Sequence, residues 1–463
     1  MNQALLPKPA RYVGRSLAPA APTVVEPAAG YSFAFAFFLL LNFVLFVRPM
    51  ELFTDENIYG LEMYQYVMIV CVALGFPTLL GQLRFDVLEK RPITLCMFGL
   101  LTAVLLSHLA RFDFVSAGEE TYDYSKVVLY FLLFTGLITT TSRLQQLLNV
   151  VLWSIIIVAA LSVLQFHEII NLPTVETLTE GASKGEAELV RLRGAGMFHD
   201  PNDFCVLLAF AVQLGLYRLL DKGGSSMRLL WLGPLALLLT AIVLTRSRGG
   251  LLALLVGLAV VLVMRYGKRV GLALVLLIPV ALLALGGSRQ TDFSTSSGTA
   301  QERVQVWADA LMKLRSSPLF GIGRNQFTKD SRLVAHNSYL HCFAELGILG
   351  GGCFVGGIFL TLRHFYRRRD LQTVRDPEMR RLLPYLGGAS TTYCVGMMSL
   401  TLLYLVSTGM ILALGQVTAN LAKTDPELPE ERTDLRLLGQ LFAVAIVFLF
   451  LMEVFVRLAM IRG

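Results

Sequence analysis

The sequence predicts an all-α polytopic membrane protein with about 12–13 transmembrane helices and a large extracytoplasmic loop that carries short amphipathic helices. Apolar residues make up 55% of the chain and charged residues only 16%, whereas soluble domains carry about 25% charged residues. Apolar runs of about 20 residues, the length that crosses a bilayer as a helix, recur along most of the chain. A transmembrane β-barrel would need segments of about ten residues with alternating polarity, and runs such as 33–47 do not alternate.

Each of these apolar runs is a predicted membrane span. The run at 383–422 is divided into two spans because it is too long for one. No internal repeat relates the two halves of the chain. The predicted spans lie near residues 31–48, 62–81, 93–110, 125–141, 146–165, 201–220, 227–245, 248–265, 269–286, 338–362, 383–403, 405–422 and 436–458.

The distribution of basic residues predicts a cytoplasmic N-terminus. With that orientation, the inside segments hold 23 of the 40 Lys and Arg residues. The short outside loops near 49–61 and 111–124 hold a single Arg and are acidic. Because cytoplasmic loops collect Lys and Arg, the net charge of +7 reflects membrane topology, and no nucleic-acid partner is predicted.

The chain is predicted to form one membrane domain, residues 30–463, behind a disordered cytoplasmic tail at 1–29 that is rich in Ala and Pro. Two long loops, near 166–200 and 287–337, fall on the extracytoplasmic side. The six cysteines lie in apolar segments without a CxxC pair. They are interpreted as small buried hydrophobes, so neither a metal site nor any cofactor is predicted.

The second long loop contains a helical pattern. Apolar residues recur there at spacings of three and four, which is typical of an amphipathic helix. A Ser-Pro pair predicts its end, and a Gly-Ile-Gly sequence predicts a turn behind it. The residues concerned are Val304, Trp307, Leu311 and Leu314 for the helix, Ser317-Pro318 for its end and Gly321-Ile322-Gly323 for the turn.

Two arginines lie in a very short outside turn, Arg246-Ser247-Arg248-Gly249-Gly250. One interpretation is that Arg246 and Arg248 snorkel to the membrane interface. The other is that their guanidinium groups bind an anion such as phosphate, whose oxygens they match bidentately. The two glycines would then let the backbone approach that anion closely.

A second basic site precedes the predicted span at 201–220. Pro201 suits the start of a helix and Asp200 its N-cap, so Arg193 is either an ordinary loop residue or another anion ligand on the same membrane face. Arg191 is a weaker candidate for that ligand role, and Asn202 is a possible structural residue.

One histidine, His336, lies where the large loop ends and the next span begins. An imidazole with its usual pKa near ~6.5 can take a proton from a hydroxyl at neutral pH, although a lone histidine is more often an interface residue. Glu345 falls inside the span and therefore needs a partner; a structural hydrogen bond is the favoured interpretation. The gathering of cations and one histidine on one face suggests an enzyme that handles a phosphate-bearing membrane substrate.

Four sequence motifs resemble those of the bacterial O-antigen ligase and O-antigen polymerase superfamily. They occur in order over roughly residues 190–365, with a similar arrangement of spans before and after. The motifs are Arg193-x-x-Gly196-x-Phe198-x-x-Pro201-Asn202, Ser247-Arg248-Gly249-Gly250, Arg303-x-x-x-Trp307 followed by Pro318-Leu319-Phe320-Gly321-Ile322-Gly323, and His336-Asn337-Ser338-Tyr339-Leu340 with Glu345-Leu346-Gly347-Ile348-Leu349-Gly350.

The resemblance implies a transferase of the bacterial inner membrane whose periplasmic loop caps a lateral cavity. The implied donor is a glycan on undecaprenyl pyrophosphate, transferred without metal to a glycan, a lipid A core or a protein. By motif, Arg193 and Arg248 resemble the pyrophosphate ligands and His336 the base that activates the acceptor hydroxyl. Arg303 is ambiguous, since it equally fits a role in positioning the amphipathic helix, and Asn337 is a possible structural residue.

A rival from another class is a transporter or flippase that moves a lipid-linked glycan without chemistry. Such a protein would use the same arginines to hold pyrophosphate. Repeat symmetry and broken helices near the middle of the membrane are expected of transporters, and the sequence shows neither.

Overall fold

The structure is a computed structural model that describes residues 29–49, 63–172, 178–180, 189–194, 198–220, 226–269, 299–331 and 334–462. It shows an all-α polytopic membrane protein, as predicted. The predicted tail at 1–29 and the predicted span near 269–286 lie almost entirely outside the described residues.

The helices follow the predicted spans closely, and two short 3₁₀ turns, Ser226–Trp231 and Leu371–Thr373, join them. The helices are α1 (Ala29–Val47), α2 (Met63–Gln82), α3 (Phe85–Leu88), α4 (Pro92–Leu109), α5 (Phe114–Leu137), α6 (Thr141–Phe166), α7 (Pro201–Leu220), α8 (Leu232–Thr245), α9 (Arg248–Tyr266), α10 (Thr299–Ser316), α11 (Gln326–Ser331), α12 (Ser338–Arg367), α13 (Pro377–Gly396), α14 (Val406–Leu421) and α15 (Leu435–Arg462).

Among the described residues, eight helical segments are long and apolar enough to cross a membrane, and two apolar segments are shorter, Phe33–Val47 within α1 and Val406–Leu421, which is α14. Each predicted span that falls on described residues has a helical counterpart. The predicted amphipathic helix of the large loop is α10, which ends at Ser316, one residue before the predicted stop.

The predicted outside loop at 111–124 is wrong, because α5 already begins at Phe114. The Oδ1 atom of Asp113 accepts a hydrogen bond from the backbone N–H of Ser116 at 3.1 Å and caps the helix. Acidic side chains near a helix N-terminus are stabilised by the partial positive charge there. The acidic residues Glu119, Glu120 and Asp123 of that predicted loop lie on the second and third turns of α5.

The long loop before α7 contains a small antiparallel sheet that the sequence did not predict. Its strands are β1 (Leu178–Glu180) and β2 (Leu189–Arg191). Directly after β2, the N–H of Leu192 donates to the carbonyl of Leu244 at 3.0 Å. The sheet is thereby held at the end of α8, where the arginine turn begins.

A break divides α12 at Gly347, whose φ of 64° and ψ of −164° are not helical. The loop at 318–323 supplies the missing backbone partners. Ile348 N donates to Pro318 O at 2.8 Å, and Gly323 N donates to Glu345 O at 2.9 Å. A Cβ atom at position 347 would lie 2.4 Å from the backbone of Leu319. The absence of broken helices inferred from the sequence is therefore wrong.

Glu345, fully buried beside this break, has the partners that an intramembrane carboxylate requires. The Tyr404 hydroxyl donates to Oε2 at 2.7 Å, and the Phe327 N–H donates to Oε1 at 3.2 Å. His341 Nε2 lies 3.1 Å from Oε2. This network fastens the loop before His336 to α12 and to the segment before α14, in keeping with a structural role for Glu345.

Candidate functional site

His336 has a backbone conformation that few residues with a side chain adopt, with a φ of 46°. The next residue, Asn337, is fully buried and caps α12. Its Oδ1 atom accepts hydrogen bonds from the N–H groups of Tyr339 and Leu340, both at 3.1 Å. The cap fixes the start of the helix and so fixes the residue immediately before it. Through this cap, Asn337 positions the backbone of His336.

Ser338 joins the same helix start to the segment between α13 and α14. Its N–H donates to Met397 O at 2.9 Å. Its hydroxyl donates to Leu400 O at 2.7 Å and accepts from Leu402 N at 2.8 Å. The sequence motif His-Asn-Ser therefore consists of one half-buried imidazole followed by two buried residues that hold it in place.

The amphipathic helix α10 brings Arg303 to this histidine. Trp307 Nε1 donates to the carbonyl of Ala335, the residue before His336, at 2.9 Å. Arg303 precedes Trp307 by four residues and so lies on the same face of α10, one turn earlier. The two roles considered for Arg303 are thus distributed over two residues: Trp307 positions the helix, and Arg303 faces the site.

The arginine turn lies at the junction of α8 and α9. Arg246 ends α8 in a left-handed conformation, with a φ of 51°, and its side chain is exposed. Ser247 caps α9 by accepting a hydrogen bond from Gly250 N at 3.2 Å, which makes Arg248 the first residue of that helix. A Cβ atom at position 250 would lie 2.3 Å from Cys205 Sγ, so only glycine lets α9 pack this closely on α7.

The two loop arginines before α7 differ in environment. Arg191 is buried; its Nε donates to Thr245 O at 2.9 Å and its Nη2 to Asn202 Oδ1 at 2.8 Å. Arg191 therefore connects the start of α7 to the end of α8. Arg193 is half-buried and donates its Nε to the carbonyl of His199. Within the described residues, the terminal nitrogens of Arg193 have no hydrogen-bond partner.

Asp200 is the N-cap that the sequence predicted for α7, since its Oδ1 accepts a hydrogen bond from Asn202 N at 2.6 Å. It also has a role that sequence reasoning missed. Its carboxylate acts electrostatically on both Arg303 and His336. Its place in the motif between Arg193 and Asn202 was the available signal, but capping alone accounts for an aspartate before Pro201.

The electrostatic interactions at this site join groups that are far apart in the sequence. Burial lowers the pKa of the Arg303 guanidinium; the Asp200 carboxylate opposes that shift, and the charges of Arg191 and Arg248 add to it. Burial also lowers the pKa of the His336 imidazole, Arg303 lowers it further, and Asp200 opposes both. His336 is therefore held in its neutral, proton-accepting form at neutral pH.

The structure thus brings Arg191, Arg248, Arg303 and His336 to one site, with Asp200 as the acidic member. Asp200 directly precedes α7, Arg248 is the first residue of α9, and His336 lies two residues before α12. Within the described part of the chain, neither the Arg303 guanidinium nor the His336 imidazole has a hydrogen-bond partner. Both are thus available to a ligand.

Over the described residues, no group of three or more His, Cys, Asp or Glu side chains is arranged to hold a metal ion. The described cysteines are all unpaired thiols, and most of them are buried. Metal independence of the chemistry remains a prediction.

Comparison with known proteins bears on the same part of the chain. Residues 233–355 match a family described as O-antigen ligase. The match includes Arg248, Arg303 and His336, whereas Arg191 and Arg193 lie before it. The family indicates a membrane glycan transferase of the ligase or polymerase type, with a lipid-linked glycan and an acceptor as partners. No curated protein matches the chain.

Proposed function

Because the chain carries a segment of the O-antigen ligase superfamily at residues 233–355, we propose that it transfers a glycan from undecaprenyl pyrophosphate to an acceptor hydroxyl at the periplasmic face of the bacterial inner membrane. One observation carries the proposal. Arg303 and His336, both half-buried and without hydrogen-bond partners within the described residues, lie in the same cluster as Arg191 and Arg248.

The charge of the cluster matches a diphosphate. Three arginines face one carboxylate, Asp200, so the site has an excess of positive charge. The N-termini of α7, α9 and α12 add their partial positive charges, which favour anions. Guanidinium groups bind phosphate oxygens bidentately. A pyrophosphate would supply the hydrogen-bond acceptors that the Arg303 guanidinium lacks within the described residues.

The proposed reaction uses His336 as the base. Its neutral imidazole takes the proton of the acceptor hydroxyl as that oxygen bonds to the anomeric carbon of the donor sugar. The bond between this carbon and the pyrophosphate oxygen breaks, and the electron pair leaves with the pyrophosphate. Positive charge fixed beside the leaving oxygens stabilises the charge that develops on them.

The arginines divide into ligands and a positioning residue. Arg248 and Arg303 are the proposed direct ligands of the pyrophosphate, with Arg193 as a further ligand at the edge of the site. Arg191 is buried and bonded to Thr245 and Asn202, so it positions α7 against α8 while adding its charge. Arg246, exposed on the end of α8, is left out of the proposed ligand set.

The proposed function is tested by measuring glycan transfer in a purified system. The full chain in detergent or nanodiscs is given an undecaprenyl-pyrophosphate-linked oligosaccharide and, separately, a lipid A core, the same glycan or a pilin-type protein as acceptor. Product with one acceptor identifies ligation, polymerisation or protein glycosylation. Absence of product with every acceptor, while donor is bound, would contradict the enzymatic proposal.

The pH dependence of transfer provides a sharper prediction. Only neutral His336 accepts a proton, so the rate rises with pH through the pKa of His336 and is constant above it. Burial and Arg303 lower that pKa and Asp200 raises it. We therefore expect the acidic limb of the rate profile to lie below pH ~6.5, the usual histidine value. Arg303→Gln should move that limb to higher pH, and Asp200→Asn should move it to lower pH.

The two substitutions serve as controls for one another. Both remove one charge from the same site, so a general disturbance would shift the limb in the same direction or not at all. Asn retains the side-chain oxygen that caps α7, which keeps the fold of Asp200→Asn intact. Shifts in the same direction would mean that another group sets the acidic limb.

A transporter that holds the lipid-linked glycan without chemistry remains the alternative, and the break in α12 is a feature that transporters share. In transporters, however, the unwound backbone groups coordinate the cargo or a coupling ion. Here Ile348 N and Glu345 O are bonded to the loop at 318–323. Their pairing favours a structural purpose for the break.

Fusions to a reporter enzyme test the predicted orientation of the chain in the membrane. Alkaline phosphatase fused after Lys329 should be active, because that residue lies in the loop that carries His336, which is predicted to be extracytoplasmic. The matched fusion after Lys268, in a loop assigned to the cytoplasm, should be inactive. Activity after Lys268 and none after Lys329 would place the arginines and His336 on the cytoplasmic face.

A further inference from the structure

A polar cavity, separate from the candidate functional site, lies at the opposite end of α12 from His336. His336 precedes the first residue of α12, and His364, in its last turn, lines this cavity. The cavity has a volume of about 380 Å³, within the roughly 300–1,000 Å³ typical of small-molecule sites. It is bounded by α3, the start of α4, the ends of α12 and α14, and the segment at 422–431.

Three side chains that line this cavity carry buried polar atoms that no hydrogen bond reaches among the described residues. They are His364 Nε2, Gln416 Oε1 and Glu431 Oε2. His364 Nε2 and Glu431 Oε2 are 3.7 Å apart, which is too long for a hydrogen bond. The two oxygen atoms only accept hydrogen bonds, and neutral His364 can also accept one. A ligand that meets these atoms must therefore supply donor groups.

The charges around the cavity narrow the choice of ligand. Every carboxylate that lines the cavity already has a cation beside it. Asp86 pairs with Arg84 at 3.1 Å, and Glu427 pairs with Arg375 at 3.2 Å. In neither pair does the arginine belong to the lining.

The other two lining carboxylates pair within the cavity wall. Glu430 lies 3.5 Å from Lys90. Glu431 is held by Arg367 and, at 3.2 Å, by Arg363. All four carboxylates are therefore neutralised, so they leave the remaining lining cations without a counter-charge.

Three lining cations, Arg91, Arg368 and Lys423, have no carboxylate partner among the described residues. Arg368 donates to the carbonyls of Ala419 and Ala422 at 3.1 and 2.9 Å, which satisfies its hydrogen bonds but not its charge. The cavity is therefore electropositive. A ligand that donates hydrogen bonds from ammonium groups would be repelled by this excess of positive charge. An anion that donates them from hydroxyl groups would be attracted.

We propose that this cavity binds a polyol phosphate: its hydroxyl groups donate to Gln416, Glu431 and His364, and its phosphate lies near Arg91 and Lys423. The same chemistry occurs in the headgroup of phosphatidylglycerol and in soluble glycerol phosphate. The site is separate from the glycan-transfer site and independent of the function proposed for it. A bound polyol phosphate would join the segment at 422–431 to the ends of α12 and α14.

The test uses the full chain with defined probes. In nanodiscs with equal amounts of phosphatidylglycerol, phosphatidylethanolamine and phosphatidylcholine, native mass spectrometry measures the lipid that is retained. In detergent, thermal shifts measure binding of glycerol 1-phosphate, phosphoethanolamine and inorganic phosphate. We expect phosphatidylglycerol, glycerol phosphate or both to bind at least tenfold more tightly than the other probes. Retention of the lipid alone would identify a membrane source, and binding of the soluble compound alone a cytosolic one.

Two variants and one matched control test whether the ligand binds in this cavity. Gln416→Met removes an acceptor that has no partner, and Lys423→Gln removes an exposed cation, so neither endangers the fold. Each should weaken binding about tenfold, which is the effect of one lost hydrogen bond to a charged group. Lys268→Gln removes an exposed cation outside the cavity and should leave binding unchanged. Equal binding of all probes, no binding of any, or native affinity in both cavity variants would overturn the proposal.

Discussion

Replacing His336 with alanine should abolish measurable glycan transfer while leaving the donor bound. A general base contributes about 10²–10⁴-fold to a reaction rate, and His336 has no hydrogen-bond partner in the described structure that would make it necessary for folding. The expected result is a loss of that size in the rate of a purified transfer assay. The affinity for the lipid-linked donor, measured separately, should change little.

The matched comparison for His336→Ala is His341→Ala, five residues later in the first turn of α12, where the imidazole contacts Glu345. That variant should lower thermal stability more than it lowers the transfer rate of the folded fraction. In cells, loss of glycan product while the donor still reaches the outer leaflet would argue against a flippase. Full transfer by His336→Ala would remove this residue as the base and leave the cations as a binding site without chemistry.

Replacing Arg248 with glutamine should reduce transfer by about 10²–10³-fold, the effect of losing one group that stabilises developing negative charge. Arg248 is the first residue of α9, where its guanidinium and the partial positive charge of the helix N-terminus would act together on the proposed pyrophosphate. Arg248→Lys should recover only part of the rate, because an ammonium group cannot bind two phosphate oxygens in a fork. The measurement is the transfer rate at saturating donor, with the donor affinity determined in parallel.

Arg246→Gln is the control two residues away in the same turn. Arg246 is exposed at the end of α8, so its replacement should change the rate by less than about threefold, as for other surface charges. If Arg246→Gln lost as much activity as Arg248→Gln, the turn as a whole would matter and the assignment of Arg248 as a direct ligand would be wrong.

The membrane helices could be predicted because hydrophobic length is a local property of the sequence. The predicted capping of α7 by Asp200 and the end of α10 before Pro318 are confirmed for the same reason. The break at Gly347 could not be predicted. It depends on the loop at 318–323 folding back to satisfy the freed backbone groups, and the glycine alone does not indicate that long-range pairing.

The candidate site was predicted in part. His336 and Arg248 carried motifs of their own, and the structure brings them together through Arg303. The relative importance of the two loop arginines was not predictable, because burial of Arg191 depends on the carbonyl of Thr245, which lies 54 positions further along the chain. Asp200 was overlooked because its local role as a helix cap was sufficient to explain it.

The hydrogen bond from Trp307 to the carbonyl of Ala335 couples the surroundings of His336 to the position of α10. Were α10 to lift from the bundle, Arg303 would leave with it, and the His336 imidazole would lose a neighbour that, after burial, lowers its pKa. The pyrophosphate would lose a ligand in the same movement. The docking of α10 would therefore contribute both to the proposed base and to the proposed pyrophosphate site.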